Sequence, residues 1–179
     1  MSIAMPNTSL VLTILGADRP GLVESIARIV AEHGGNWLES RMAHLAGQFA
    51  GILRVEVDAA QAESLTQSLA GLAQAGLETV VHPDPAAVAI PSNRPLVKLD
   101  LLGQDRPGIV RQISGVLAAL GVNVEELNTE CRAAAETGQP LFHATADLRL
   151  PPDVKEEDLR IALECVAADL MVDVTLAKK

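Results

Sequence analysis

Apolar residues alternate with other positions, then recur at helical spacing, then alternate again, and this succession runs twice along the chain. In "TSLVLTIL" Leu10, Leu12 and Ile14 take every second position, and in "LVKLDLL" Val97, Leu99 and Leu101 do so with Lys98 and Asp100 between them. A period of two predicts a strand with one face buried. The period then lengthens, in Leu22, Ile26, Ile29 and Val30 and again in Ile109, Ile113, Val116, Leu117 and Leu120, which predicts an amphipathic helix in each half. Pro20 and Pro107 suit the first turns of these helices, where a missing N–H costs nothing. Gly34 with Gly35, and Gly121, are expected to end them in the left-handed conformation.

Two further strands follow in each half, "NWLESRMAHL" to "FAGILRVEV" and "NVEELNTEC" to "LFHATADLRL", each pair joined by a glycine-containing hairpin. In the last of these Ala144, Ala146, Leu148 and Leu150 are placed on a core while His143, Thr145, Asp147 and Arg149 face outward, as in a sheet covered on one side. A second helix is predicted from a capping-box pattern, Asp58 to Gln61 and Asp153 to Glu156, followed by Leu65, Leu69 and Leu72 or by Leu159, Leu163, Val166 and Leu170. Each half closes on a short strand, "LETVVH" or "MVDVTL".

The halves are copies of one another. "LGADRPGLV" and "LGQDRPGIV" align at an offset of 105 − 18 = 87, which also carries Gly34 onto Gly121 and Asn36 onto Asn123. Beyond the hairpin the offset is 142 − 49 = 93, so six extra residues enlarge the second hairpin around 133–139. The fold expected is α+β: two ferredoxin-like βαββαβ units in tandem, 6–83 and 95–177, each an antiparallel four-stranded sheet with both helices on one face. A proline-rich linker over 84–94 joins them. Cores of such small units are modest, so the halves are expected to pack together or the chain to form a homodimer.

Charge and composition narrow the function. The net charge is −9, from 14 Lys plus Arg against 23 Asp plus Glu, and the basic residues are scattered. Only Trp37, Phe49 and Phe142 could stack on bases, so direct nucleic-acid binding is not expected. No apolar run approaches the roughly 20 residues of a membrane span and no leader is evident, which points to a cytoplasmic protein. Cys131 and Cys165 form no CxxC pair and are expected as buried free thiols, and no metal or cofactor motif is present. His33, His44, His82 and His143 fall singly, without an HExxH, G-x-S-x-G or phosphate-loop pattern, so no catalytic residue is assigned.

The repeated loop carries the chemistry. It joins the first strand of each half to the first helix, where unpaired N–H groups and the positive end of the helix dipole favour a carboxylate. Gly21 and Gly108 allow close approach, Asp18 and Asp105 can accept from an ammonium, and Asn36 and Asn123 offer both donor and acceptor. An α-amino acid has the two charges such a site would meet. The same residues equally make an ordinary helix start, with Asp as cap, Pro in the first turn, Gly for packing and Asn in a turn. Spacing leaves both readings open.

"DRPG[LI]V" opening the first helix, with "GGNWLE" or "GVNVEE" entering the second strand, resembles the ACT domain family of small regulatory modules. Both halves match. The tandem arrangement and the ending "TGQPLFHATADLRLP" followed by a helix and "DLMVDVTL" are similar to the glycine cleavage system transcriptional repressor group within it. The resemblance implies an amino-acid sensor whose ligand sites lie where this loop meets a neighbouring ACT unit, at Asp18, Pro20, Gly21 and Asn36 and at Asp105, Pro107, Gly108 and Asn123. It implies glycine or serine as effector and regulation of transcription through a protein partner, without direct nucleic-acid or membrane contact. The alternatives are a ligand-free adaptor or assembly module, or a detached regulatory subunit of a metabolic enzyme. The enlarged hairpin is either a tolerated insertion or a contact for that partner.

Overall fold

The computed structural model describes residues 6–84, 94–135 and 137–178, so the expected linker lies, except for its two ends, outside the described residues. Two compact units result, 1–89 and 90–179. The first runs β1 (Asn7–Ala17), α1 (Leu22–Glu32), β2 (Asn36–Leu45), β3 (Gln48–Asp58), α2 (Ala62–Ala70) and β4 (Leu77–Pro83). The second repeats it as β5 (Leu96–Gln104), α3 (Ile109–Ala119), β6 (Asn123–Ala133), β7 (Pro140–Arg149), α4 (Glu156–Leu170) and β8 (Val172–Lys178). The sheets are antiparallel, ordered β2-β3-β1-β4 and β6-β7-β5-β8.

Each unit has its own core, formed by alternate strand residues against the apolar stripes of two helices. Leu12, Ile14, Ile26, Leu53, Leu65 and Leu69 are buried in the first, and Leu99, Leu101, Ile113, Leu148, Leu159 and Leu163 in the second. Each such side chain contributes about 1.5–3 kcal/mol on leaving water. The opposite sheet faces are open and have diverged. The row Ile52, Thr13 and Val80 of the first unit corresponds to Thr145, Asp100 and Thr175 in the second.

The first helices end as expected on left-handed glycines, Gly34 at φ 68° and Gly121 at φ 66°. Other helix boundaries depart from the pattern. Asp58 closes β3, and its Oδ1 accepts from the Ala60 N–H at 2.9 Å, so the aspartate makes a local turn and α2 begins only at Ala62. Asp153 likewise precedes α4, where Asp158 Oδ2 accepts from the Lys155 N–H at 3.1 Å. The alanine-rich stretch is not one helix: α2 passes into a 3₁₀ segment, Gly71–Ala75, ended by Gly76 at φ 76°.

Both cysteines are exposed, not buried. Cys131 lies on β6, an edge strand with most side chains in water, and Cys165 lies on α4 between the buried Leu163 and Ala167, turned away from the core. The enlarged hairpin also has a simple origin. The first hairpin turns on Ala46 and Gly47, at φ 50° and 78°. In the second unit the equivalent Ala133 and Pro140 are a ladder pair instead, and the turn lies beyond them, with the Ala134 N–H donating to Gln139 O at 2.8 Å. Among the described residues, no helix is long and apolar enough to cross a membrane.

Candidate functional site

The repeated loop leaves the sheet through a glycine. A β-carbon at Gly16 would lie 2.5 Å from Gly76 O, and one at Gly103 would lie 2.5 Å from Val172 Cγ1 and 2.8 Å from Val172 Cα. The first strand can therefore pass beside the start of the last one only without a side chain. Two residues further the loop is tied to the hairpin, through Asp18 N–H to Gly47 O at 2.9 Å and Asp105 N–H to Pro140 O at 3.0 Å. The arginines reach the other way. Arg19 Nη2 donates to Ala75 O at 2.6 Å, and Arg106 Nη2 to Gln104 Oε1 at 3.3 Å and Met171 Sδ at 3.7 Å, so each spans to the connection before the last strand.

Pro20 and Pro107 do not occupy the first helical turn. The helices begin at Leu22 and Ile109, and Gly21 and Gly108 are the N-caps, in the left-handed region at φ 89° and 95°. Their carbonyls accept the first helical bonds, from the Ser25 N–H at 2.9 Å and the Gln112 N–H at 3.0 Å, which leaves each proline one position outside the cap. These glycines are required by backbone conformation. A β-carbon would meet nothing within 4 Å at Gly21 and only Gln112 Nε2, at 3.9 Å, at Gly108, so close packing is not their reason.

No side chain caps α1 or α3. The first-turn N–H groups thus keep the partial positive character of a helix start. The aspartates are not caps; they turn toward the hairpin strand. Asp18 Oδ2 stands 3.6 Å from His44 Nε2, with both side chains about half exposed. In the second unit the equivalent pair is Asp105 and Cys131. Desolvation, and after it the charge and hydrogen bond of Asp105, raise the Cys131 thiol above its ordinary pKa.

The asparagines lie elsewhere. Asn36 is opposite Glu56, which is opposite Ser9 near the start of β1, whereas Asp18 follows the end of that strand. Eight strand residues separate the two levels, about 27 Å at 3.4 Å per residue. Asn123 sits in the same way at the Leu96 end of the second sheet, where its Nδ2 donates to Glu125 Oε1 at 2.7 Å. Within one unit the loop residues Asp18, Pro20 and Gly21, or Asp105, Pro107 and Gly108, form a group that Asn36 or Asn123 does not join. Helix α1 carries the chain back to the level where β1 starts, and β2 sets out from there in the same direction as β1, so nearness in sequence is lost. A cavity of about 750 Å³ in the second unit, lined by Pro95, Leu150, Lys155 and Arg160 among others, also lies at this far end.

Four features of the site go beyond the sequence reading: the contact glycines Gly16 and Gly103, the arginine ties, His44 and Cys131. The repeat alignment holds a signal for them, since it superposes Gly16 on Gly103 and His44 on Cys131. Among the described residues, no group of three or more His, Cys, Asp or Glu could hold a metal ion. His143 bonds Glu130 at 3.2 Å and Asp100 at 3.3 Å on the open sheet face. His33 is tied within the first unit, its Nδ1 to Ile29 O at 2.8 Å and its Nε2 to Ser68 Oγ at 3.2 Å, which joins α1 to α2.

Two βαββαβ modules in one chain, each with the same loop opening its first helix, define a tandem ferredoxin-like protein. Residues 8–82 match the ACT domain family, and the second unit repeats the first in element order, sheet order and loop sequence. The chain is an ACT-domain protein built of two ACT units. It resembles, distantly, the glycine cleavage system transcriptional repressor of Escherichia coli (strain K12), with 26% identity over 171 residues that span 90% of this chain and 85% of the relative. An unknown protein from Galdieria sulphuraria superposes with a TM-score of 0.87 at 28% identity, over 97% of this chain and 99% of that one. A candidate glycine cleavage system transcriptional repressor of known structure shares the fold at a TM-score of 0.70 and 19% identity, over 97% of this chain and 98% of its own.

Proposed function

We propose that this protein is an amino-acid-responsive regulator, without catalytic activity, that takes a small amino acid such as glycine or serine at one or both repeated loops. The observation that carries the reading is an exposed carboxylate beside a helix start that no side chain caps, present in both units. Asp18 or Asp105 would accept from the ammonium, and the N–H groups after Gly21 or Gly108 would meet the carboxylate. The far wall of the site would come from a second copy of the chain, which would bring an Asn36 or Asn123 to it. Bound amino acid would favour one arrangement by its differential affinity, typically about 1–3 kcal/mol, and a protein partner acting on transcription of glycine cleavage would read that arrangement. A net charge of −9 favours a protein partner over direct contact with nucleic acid.

The test is a melting-temperature titration with glycine, serine and the other common amino acids. A ligand at about 100 times its Kd stabilises the folded state by about 2.7 kcal/mol, and a selective shift absent from the Asp18→Ala, Asp105→Ala double variant supports the reading. A second reading, a ligand-free adaptor, is favoured by Gly21 and Gly108, whose left-handed conformations explain them without a ligand. No shift with any amino acid would establish that reading instead.

A further inference from the structure

The two loops are near-duplicates, yet each sets a different side chain against its aspartate. His44 and Cys131 hold equivalent places, five positions before the buried Phe49 and Phe142 when the extra hairpin residues are set aside, and each is the ladder partner of that phenylalanine. His44 Nε2 lies 3.6 Å from Asp18 Oδ2. Desolvation, and after it Asp105, act on the Cys131 thiol and raise its pKa.

We propose that His44 is the specificity-determining residue of the first loop, competing as an imidazolium for the carboxylate that an amino-acid ammonium would use, and that the second loop lacks this competition. The proposal rests on the reading of Asp18 and Asp105 as ammonium acceptors. A protonated imidazole carries the charge of the incoming ammonium and already stands beside Asp18; a neutral one leaves the carboxylate to the ligand. The thiol of Cys131, held above its ordinary range, stays uncharged and offers Asp105 no cation.

Other charges near His44 do not take this role. Arg19 is turned to Ala75 O. Arg41 pairs with Ile52 and so lies on the other face of β2 from His44, which pairs with Phe49. On α1, Glu24 and Glu32 are both engaged with Arg28. The hairpin residues Ala46 and Gly47 carry no charge.

The experiment isolates the loops, using full-length Asp105→Ala protein to leave the first and Asp18→Ala protein to leave the second, with glycine and serine affinities measured by calorimetry at about pH 5.5 and about pH 8. The first loop should bind more weakly at the lower pH, by up to about fivefold, the limit for a half-exposed ion pair worth up to about 1 kcal/mol. The second should show no such dependence, and it also reports any proton linkage of the ligand itself. Adding His44→Cys should flatten the first loop, and adding Cys131→His should impose the dependence on the second. A first loop that binds equally at both pH values, or keeps its dependence after His44→Cys, overturns the proposal alone. Wild-type protein that binds no amino acid overturns the ammonium reading and the proposal with it.

Discussion

Gly16 passes Gly76 so closely that a β-carbon on the first would lie 2.5 Å from the carbonyl oxygen of the second. The atom met is backbone, which cannot rotate aside, so Gly16→Ala must push β1 and β4 apart. The expected cost is that of overpacking, about 1–3 kcal/mol. Gly103→Ala should cost a similar amount through Val172. Trp37 is the sole tryptophan and packs on the first core. Its fluorescence in a urea titration should therefore move to lower denaturant for Gly16→Ala, and the loss in Gly103→Ala should be read by circular dichroism.

Gly21 and Gly108 should respond differently, because space is available and conformation is not. Alanine at either would be held at positive φ, at a cost of about 1–2 kcal/mol, while asparagine, which enters the left-handed region more readily, should cost less. Urea midpoints that rank Gly above Asn above Ala at both positions would check this. A ranking by side-chain volume would contradict it.

The contrast between these glycines marks how far the sequence could be read. Period two in Leu10, Leu12 and Ile14 and helical spacing in Leu22, Ile26, Ile29 and Val30 name the buried faces, because burial is what imposes those periods. The duplication then specifies the topology, since two copies with matching elements exclude most other assignments. What periodicity does not carry is the contact between distant backbones at Gly16 and Gly76, or the return through α1 that takes Asn36 about 27 Å from Asp18. Helix starts are misplaced where an aspartate closes a local turn, as Asp58 does. Both cysteines are mistaken for core because a small apolar residue on an edge strand or outer helix face has the same identity as a buried one.

What both copies keep also separates constraint from freedom. The core, the contact glycine, the left-handed glycine and the aspartate recur, while the open sheet face changes from Thr13, Ile52 and Val80 to Asp100, Thr145 and Thr175. The loop is thus held as tightly as the core, although its aspartates make no helix cap.

Cys131 offers a direct probe of the second loop. Its thiol is held above the ordinary range by desolvation first and by Asp105 next, so little thiolate is present near neutral pH despite its exposure. In a Cys165→Ser background, Asp105→Asn should quicken alkylation by iodoacetamide several-fold, since the amide removes the charge that opposes thiolate formation. An unchanged rate would place Asp105 away from the thiol in solution.

His143 tests the open face of the second sheet. Its hydrogen bond to Glu130, then that to Asp100, raise its pKa above the usual 6.5, while desolvation and the charge of Arg132 act in the opposite direction. The folded state therefore favours the imidazolium more than the unfolded chain does. That preference contributes stability which is fully present below about pH 6.5 and is lost as pH rises through the higher folded value. Glu130→Gln removes the larger of the two raising contacts, so the His143 ring proton resonance should titrate at lower pH in that variant than in the wild type. Across the same interval its melting temperature should fall less steeply with pH than the wild-type value does. Were the two proteins to titrate alike, Asp100 and not Glu130 would hold the proton, and Asp100→Asn would then show the larger shift.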